Sequence, residues 1–215
     1  MKDIQTSKSA HNPAVKAGLE LPLMEAFYTI QGEGEHSGLA AYFLRIGGCD
    51  VGCHWCDVKE SWNPDIHPVQ SISSIVESIP EGIQTVVITG GEPLTWNMEP
   101  LTQALHEKGY TIHVETSGAY PYTGSWDWVC LSPKKRSMPR EEYFAVANEL
   151  KVIVYNNKDL EWAEQLAAKV GKQCSLLLQP EWSKRETAIP AIVDYVMSHP
   201  KWKVSLQTHK YMHIP

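Results

Sequence analysis

The sequence predicts an α/β fold, a partial, open βα barrel of about six parallel strands. Short apolar or β-branched segments alternate along the chain with segments of helical spacing, which is the pattern of successive βαβ units. A closed eight-stranded barrel typically needs about 250 residues. The 215 residues here supply too few strands to close a barrel, and we therefore expect an open sheet.

Each predicted element has its own local signal. Residues 40–46 form an apolar run typical of a buried strand, and residues 85–89 are β-branched and stop at Gly90-Gly91. Residues 71–79 begin with a serine, as helices often do. Further strands are predicted at 111–115, 129–132, 149–155, 175–179 and 204–207, and further helices at 99–108, 159–169 and 187–199. Residues 1–22 are polar and lack periodicity, so we expect a flexible N-terminal arm followed by a single catalytic domain over 23–215.

Composition excludes several classes of protein. The formal net charge is −6 with no long basic run, which argues against nucleic acid as a partner. No segment has the roughly 20 consecutive apolar residues that span a bilayer, and the N-terminus has no apolar signal-peptide core. The 5 cysteines are an odd number, unlike a secreted disulfide framework. We expect a soluble, cytoplasmic protein that keeps its thiols reduced.

The strongest chemical signal is a cysteine cluster directly after the first predicted strand. Cys49, Cys53 and Cys56 are spaced so that one loop can place three thiolates around a [4Fe–4S] cluster. Such a cluster has four irons, so three cysteines leave one iron open for a ligand. A zinc site with His36 or His54 as the fourth ligand is the structural alternative, and the cysteines alone leave both interpretations open. The isolated Cys130 and Cys174 are expected to be packing residues.

A second signal follows the next predicted strand, where the chain reads Ile88-Thr89-Gly90-Gly91-Glu92-Pro93. Two glycines at a strand end allow the backbone to approach a ligand closely. A glutamate beside them can accept hydrogen bonds from an ammonium group. By itself a Gly-Gly pair is equally compatible with a plain turn. Together with the cysteine cluster one βαβ unit earlier, it resembles the radical S-adenosylmethionine (SAM) superfamily.

Further motifs narrow the resemblance to one family. They are Phe27-Tyr28-Thr29-Ile30-Gln31-Gly32-Glu33-Gly34, Phe43–Gly48, Val114–Gly118, Ser132-Pro133-Lys134, Leu178-Gln179-Pro180 and Gln207–Pro215. In this order, from about Met24 to Pro215, the chain is similar to the 7-carboxy-7-deazaguanine synthase (QueE) family. The resemblance implies the radical SAM type of open barrel. It also implies conversion of 6-carboxy-5,6,7,8-tetrahydropterin to 7-carboxy-7-deazaguanine with loss of ammonia, in the biosynthesis of queuosine and other 7-deazapurines.

The resemblance also implies the cofactors and the site residues. The cofactors are a [4Fe–4S] cluster on Cys49, Cys53 and Cys56, SAM, and Mg²⁺. The implied SAM-binding residues are Trp55, Cys56, Asp57, Gly91, Glu115, Ser117, Ser132, Pro133, Lys134, Gln179, Pro180, Glu181 and Trp182. The implied substrate-binding residues are Ile30, Gln31, Gly32, Arg45, Thr89 and Pro215. His209 and Lys210 belong to the closing motif of the family.

The chemistry of two substrate residues agrees with these roles. Gln31 can both donate to and accept from the amide edge of a pterin, and Arg45 can bind its carboxylate through two parallel hydrogen bonds. Without the resemblance, Arg45 is equally well explained by an ion pair at a strand end. Glu33 is either an orienting group for substrate or metal, or an exposed loop carboxylate.

One position departs from the family pattern. Val58 stands where the family usually has Thr or Ser, whose hydroxyl helps to hold Mg²⁺. A valine side chain has no oxygen to ligate this cation. Water, Asp57, a neighbouring carboxylate such as Glu33 or a backbone carbonyl are the alternatives that could replace the lost hydroxyl. We therefore expect Mg²⁺ to bind weakly or not at all, with Arg45 and Lys59 available to meet the substrate carboxylate.

The resemblance implies partners as well. It implies a homodimer and an electron donor such as flavodoxin or ferredoxin, with neither a nucleic acid nor a membrane as a partner. Two other functions remain open at this level, a glycyl-radical activating enzyme and a non-catalytic zinc-binding module.

Overall fold

A computed structural model of the chain describes residues 4–215. Within these residues, nine strands form one sheet in the order β3-β1-β2-β4-β5-β6-β7-β8-β9. The strands are β1 (Glu20–Ile30), β2 (Ala40–Ile46), β3 (Val69–Ser71), β4 (Thr85–Gly90), β5 (Thr111–Thr116), β6 (Trp128–Leu131), β7 (Glu149–Val154), β8 (Ser175–Pro180) and β9 (Trp202–Val204). The two edge strands do not pair with each other, so the sheet is open, as the sequence predicted.

The parallel part of the sheet agrees with the prediction. Seven strands, β2 and β4 to β9, run parallel, and each overlaps one of the seven predicted strand segments of a sheet expected to hold about six strands. Sequence analysis missed β1 and β3, which pair antiparallel at one edge. β1 is half-exposed, so it lacks a continuous apolar run. β9 also begins two residues before the predicted strand, because the buried Trp202 anchors it.

Eight helices lie within the described residues, and all but the last contribute buried side chains to the main hydrophobic core. They are α1 (Lys8–His11), α2 (Pro13–Lys16), α3 (Ile72–Glu77), α4 (Glu99–Glu107), α5 (Glu141–Val146), α6 (Lys158–Ala167), α7 (Arg185–Ser198) and α8 (Thr208–Met212). The four predicted helices correspond to α3, α4, α6 and α7. Ser71 caps α3 by accepting a hydrogen bond from the Ser74 N–H. No helix within residues 4–215 is long and apolar enough to cross a bilayer.

The two faces of the parallel strands differ in chemistry. Because side chains alternate along a strand, residues such as Ile112 and Val114 of β5 join the main hydrophobic core beneath the helices. The intervening residues face the inside of the open barrel. On β2 and β4 this inner face is apolar, with Ala41, Phe43 and Val87 forming a small separate cluster.

On the central strands the inner face is polar instead. His113 of β5, Cys130 of β6, and Glu149 and Lys151 of β7 are all buried there. Buried polar groups are stabilised only when they find partners. Cys130 donates to the Glu149 carboxylate at 3.2 Å, which supports its expected structural role. The interior of the barrel along these strands therefore carries polar groups that are paired with one another.

The N-terminal segment differs from the expected flexible arm. Residues 4–19 form short helical turns that pack on the domain, with Ile4 and Val15 buried. Asp65 joins them to the loop after β2, because its carboxylate accepts from the backbone N–H groups of Lys8 at 3.0 Å and Ser9 at 2.9 Å. Helices of four residues are too short to give a periodic signal, which is why the sequence pattern indicated an arm.

This packing makes a measurable prediction. Val15→Ala removes two methyl groups from a fully buried side chain and should lower the free energy of unfolding by about 1–3 kcal/mol. The matched control is Lys16→Ala, one residue along and exposed, which should change stability by less than about 0.5 kcal/mol. Urea unfolding of the two variants measures the difference. Equal stabilities would restore the interpretation of a mobile arm.

Candidate functional site

Two adjoining cavities lie at the carboxyl ends of the parallel strands, where ligands bind in open α/β sheets. The first, of about 250 Å³, is lined by Cys49, Cys53 and Cys56, and we call it the cysteine cavity. The second, of about 180 Å³, contains Arg45, and we call it the arginine cavity. Four side chains line both cavities: Glu33, Asp57, Glu115 and Gln207. The two cavities therefore form one divided site.

The cysteine loop is held by backbone hydrogen bonds at its start and is partly exposed to solvent at its end. Gly48 N–H donates to the Ser61 carbonyl at 2.6 Å, and Cys49 N–H donates to the Trp62 carbonyl at 3.2 Å. Cys49 is buried, whereas Cys53 and Cys56 are partly exposed. Burial raises the pKa of the Cys49 thiol to about 12 and also raises the pKa of Cys53. Binding iron at these sulfurs must therefore release protons.

The arrangement of ligands distinguishes a cluster from a single zinc ion. Over residues 4–215, no three His, Cys, Asp or Glu side chains converge closely enough to hold one metal ion. His36 packs instead against Trp128 with ring centroids 4.3 Å apart, and His54 packs at the same distance on Trp55. A single zinc needs four ligands around one point, but a cubane spreads its thiolates over separate irons. Three cysteines supply the number of thiolates that a cubane with one open iron needs.

The Gly90-Gly91-Glu92 loop packs directly on the cysteine loop. The Gly91 N–H donates to the Ile46 carbonyl at 3.0 Å, and the Glu92 N–H donates to the Gly48 carbonyl at 2.8 Å. A Cβ on Gly90 would lie 2.1 Å from the Ile46 oxygen, and one on Gly91 would lie 2.7 Å from the Cys49 Cβ. Both glycines are therefore required by the contact between the loops.

Glu92 is buried and already bound within the protein. Its carboxylate accepts from the Thr116 hydroxyl at 2.6 Å and from the Ser117 N–H at 2.7 Å. It therefore ties the end of β4 to the end of β5. Sequence analysis expected a glutamate that could accept from a ligand ammonium. In the structure the hydrogen bonds of its carboxylate hold these two strand ends together beside the cysteine cavity.

Two further groups define the wall of the cysteine cavity. The Lys134 ammonium donates to the Ser132 hydroxyl at 2.6 Å and to its carbonyl at 2.7 Å. Burial lowers the pKa of Lys134, while the nearby Cys53 opposes this shift. Trp55 stacks on Tyr155 with centroids 6.3 Å apart. The cavity therefore presents a positive group and an aromatic surface next to the three thiols.

The arginine cavity combines an aromatic wall with polar groups. Phe27 and Phe43 stack at 5.6 Å, and the Arg45 guanidinium lies 5.9 Å from the Phe27 ring centroid. The Nε of Arg45 pairs with the Glu25 carboxylate, as expected for an ion pair at a strand end, and its role toward a substrate stays a prediction. Arg45 also lines the cavity.

A continuous chain of polar contacts crosses the boundary between the cavities. The buried Lys151 donates to Glu33 at 2.7 Å and to Glu115 at 2.8 Å. Gln31 donates to the other oxygen of Glu115 at 3.1 Å, and Gln207 donates to the other oxygen of Glu33 at 2.8 Å. Burial alone would raise the pKa of Glu33, but the charge and hydrogen bonds around it, chiefly from Lys151, lower it to about 2.

Lys151 was missed by sequence analysis although a signal exists. In the segment Glu149–Val154 the charged residues stand two apart between apolar ones. Side chains two apart lie on the same face of a strand, so this pattern places both charges inside the barrel. A pair of inward charges in a central strand indicates a functional interior.

The C-terminal segment closes the arginine cavity. The Thr208 N–H donates to the Gly32 carbonyl at 2.8 Å, and a Cβ on Gly32 would lie 2.2 Å from the His209 ring. Lys210 binds Asp57 at 2.7 Å, and the terminal Pro215 lines the cavity. The two ends of the predicted family pattern, far apart in sequence, thus meet at one site.

Most of the predicted site residues lie together. All six predicted substrate residues line the arginine cavity: Ile30, Gln31, Gly32, Arg45, Thr89 and Pro215. Most of the predicted SAM-binding residues line the cysteine cavity: Trp55, Cys56, Asp57, Gly91, Glu115, Ser117, Ser132, Lys134 and Gln179. Val58 lies in the arginine cavity, whereas Lys59 lines neither.

Four predicted residues line neither cavity: Pro133, Pro180, Glu181 and Trp182. Their local contacts explain why. Glu181 is buried and accepts from the Ser183 N–H at 3.1 Å, so its carboxylate caps the following turn. Trp182 packs on Arg185 at 4.3 Å and lies 4.8 Å from the Lys210 ammonium. It therefore stands one layer behind the arginine cavity.

The contact between the two loops predicts the effect of a single methyl group. Gly91→Ala brings a Cβ within 2.5 Å of the Gly48 oxygen and should lower the stability by about 1–3 kcal/mol while displacing the cysteine loop. Gly171→Ala is the control, because nothing lies within 4 Å of its added Cβ. Thermal melts and iron content after anaerobic reconstitution compare the two. Full iron binding by Gly91→Ala would show that the close contact is dispensable.

Comparisons with known proteins agree with this geometry. The profile of the Radical SAM superfamily matches residues 44–131, which hold both loops of the cysteine cavity. The 7-carboxy-7-deazaguanine synthase of Flavobacterium psychrophilum is 62% identical over 94% of this chain and 96% of its own. That of Synechocystis sp. is 45% identical over 89% of this chain and 92% of its own.

A solved structure supports the same relationship. The crystal structure of QueE from Escherichia coli matches with a TM-score of 0.79 and 28% identity, over 94% of this chain and 98% of that one. Radical SAM membership implies a [4Fe–4S] cluster and SAM as cofactors, which the three cysteines and the adjoining cavity fit. The chain belongs to the 7-carboxy-7-deazaguanine synthase family of the radical SAM superfamily.

Proposed function

We propose that this chain converts 6-carboxy-5,6,7,8-tetrahydropterin to 7-carboxy-7-deazaguanine with loss of ammonia, in queuosine or related 7-deazapurine biosynthesis. The observation that carries the proposal is the divided site. A cavity with three cysteines adjoins a second cavity. The aromatic and amide groups of the second cavity suit the pterin ring, and its guanidinium group suits the carboxylate of the pterin. A glycyl-radical activating enzyme must admit a large polypeptide, and the small arginine cavity, closed by the C-terminal segment, argues against that alternative.

The residues of the cysteine cavity would have two roles, binding the cluster and binding SAM. Cys49, Cys53 and Cys56 would hold the cluster, which when bound supplies the electron that cleaves SAM to a primary radical. Trp55 would offer an aromatic surface to adenine, and the Glu115 carboxylate would accept from ribose hydroxyls. The backbone of the glycine loop leaves room for the methionine part of SAM. The remaining predicted SAM residues complete the wall.

The residues of the arginine cavity would bind and orient the substrate. Arg45 binds the pterin carboxylate through the guanidinium nitrogens that Glu25 does not use. Gln31 and the carboxylate of Glu33 face the amide and amino edge, where they can accept from N–H groups. Pro215 lines the same cavity and would contact this edge of the substrate. Together these residues would direct the reacting carbon of the pterin toward the cysteine cavity and exclude water from it.

The position of Val58 bears on Mg²⁺. Val58 lines the cavity beside Asp57, but its side chain has no oxygen, and its carbonyl already accepts from the Ser61 hydroxyl at 2.6 Å. Asp57 is already shared between Lys210 at 2.7 Å and Gln207 at 3.3 Å. We therefore propose that Mg²⁺ contributes little, and that Arg45 carries most of the carboxylate binding. Lys59 lines neither cavity, and the proposal assigns it no part in this binding.

The proposal includes two partners. A second copy of the chain would form a homodimer, for which exposed apolar side chains such as Tyr28 and Tyr211 offer contact area. An acidic electron donor of the flavodoxin or ferredoxin type would approach the exposed side of the cysteine loop. The five cysteines are free thiols in the structure, which suits a reducing, cytoplasmic setting.

The first test replaces single cysteines. Cys49→Ala, Cys53→Ala and Cys56→Ala should each abolish SAM cleavage and pterin turnover, because three thiolates leave no spare ligand. Cys130→Ala and Cys174→Ala should retain both activities, since these thiols lie outside the cavity. The measurements are anaerobic turnover with product detection and the absorption of the reconstituted cluster. A reconstituted wild type that cleaves SAM but makes no deazaguanine would refute the proposed substrate.

The second test concerns the metal. Wild-type turnover should rise by less than about threefold on adding Mg²⁺ after EDTA treatment, because Val58 supplies no ligand. Val58→Thr restores a hydroxyl and should increase both the affinity for Mg²⁺ and the stimulation. Thr89 lines the same cavity and has a hydroxyl of its own, so both proteins in this comparison keep it. Strong saturable activation of the wild type that Val58→Thr does not increase would contradict the proposal.

A further inference from the structure

Lys151 occupies a position that the proposed reaction does not yet use. It lies on β7 with 2% of its side chain exposed, and it lines the cysteine cavity. Each of its two acidic partners, Glu33 and Glu115, lines both cavities. Lysine is almost never this buried unless it is paired. The structure therefore places one cation at the boundary between two binding sites.

The hydrogen bonds leave acceptor capacity at this boundary. Each carboxylate uses one oxygen on Lys151, and the remaining oxygens accept from Gln31 and Gln207. An ionised carboxylate offers about four acceptor positions, so each retains unused lone pairs. Gln31 and Gln207 also border the arginine cavity, so a ligand there meets the whole chain of contacts.

Electrostatics favours the charged form of Lys151 at this boundary. Burial disfavours the ammonium form of Lys151, but the surrounding Cys130, Glu115, Glu33 and Glu149 raise its pKa well above the usual value. Lys151 in turn helps to hold Glu33 ionised. Without this cation, two carboxylates would lie close together in a buried setting, and at least one would move or take up a proton.

We propose that Lys151 is a positioning residue for both ligands, whose ammonium fixes Glu33 and Glu115 so that their free lone pairs meet N–H and O–H donors of SAM on one side and of the pterin on the other. The inference rests on the proposed function for the pterin side. The SAM side rests on superfamily membership alone. A single buried side chain would thus set the geometry of both halves of the site.

The test replaces the cation and then returns it. Lys151→Ala should weaken SAM binding and raise the KM for the pterin, each by about 30-fold or more, with the cluster still bound. Adding propylammonium should recover at least a tenth of the lost affinity and turnover, whereas propanol should not, because only the former restores a positive charge. Lys203→Ala is the matched control, since that lysine pairs with Glu35 at 2.8 Å but is exposed.

The readouts separate the possible failures. SAM affinity is measured by equilibrium dialysis of reconstituted protein without substrate, and thermal melts report folding. If Lys151→Ala does not fold, Lys151→Arg keeps the charge and should retain SAM binding that Lys151→Met lacks. Wild-type affinity for SAM in a folded Lys151→Ala, or recovery with propanol, would overturn the inference. Absence of pterin turnover in the wild type would refute the proposed function, and the SAM measurement would still decide the role of Lys151.

Discussion

The close packing of the loop after β4 on the loop after β2 is the contact on which the site depends. Gly91 rests against Gly48 and Cys49 at distances that leave no room for a side chain. Glu92 then ties the same loop to the end of β5. Three neighbouring strand ends are thereby held at fixed separations. The cysteine cavity has a defined shape because backbone packs on backbone, where rotamers cannot adjust.

The inside of the barrel is divided by the same alternation of side chains. Apolar residues of β2 and β4, such as Phe43 and Val87, fill one half. Charged residues of β5 and β7 fill the other, and they can be buried because they pair with one another. Polar ligands therefore find partners along one wall and a flat aromatic surface along the other. This division explains how a small site can hold both a charged cofactor and a planar ring.

The ends of the chain complete the domain. The N-terminal turns pack beside the loop after β2, with the Ile4 side chain 3.3 Å from where a Cβ on Gly48 would stand. The C-terminal residues close the arginine cavity through Thr208 and His209. Both segments lie outside the βαβ repeat, yet both contact the site. The loops of the barrel are thus supported from two sides that the repeat itself does not provide.

The sequence by itself determined the parallel sheet, the cysteine loop and most of the cavity walls. Continuous apolar runs predict the buried strands, and the spacing of Cys49, Cys53 and Cys56 predicts a shared site for a metal cluster. Only the tertiary structure decided which side chains face each other. Lys151 meets its two carboxylate partners only where β5, β7 and the Gln31–Gly34 loop converge. Trp182 packs on Arg185 and lines neither cavity. These side chains meet through contacts between residues that are far apart in the sequence. Local sequence patterns do not show which distant residues will be in contact.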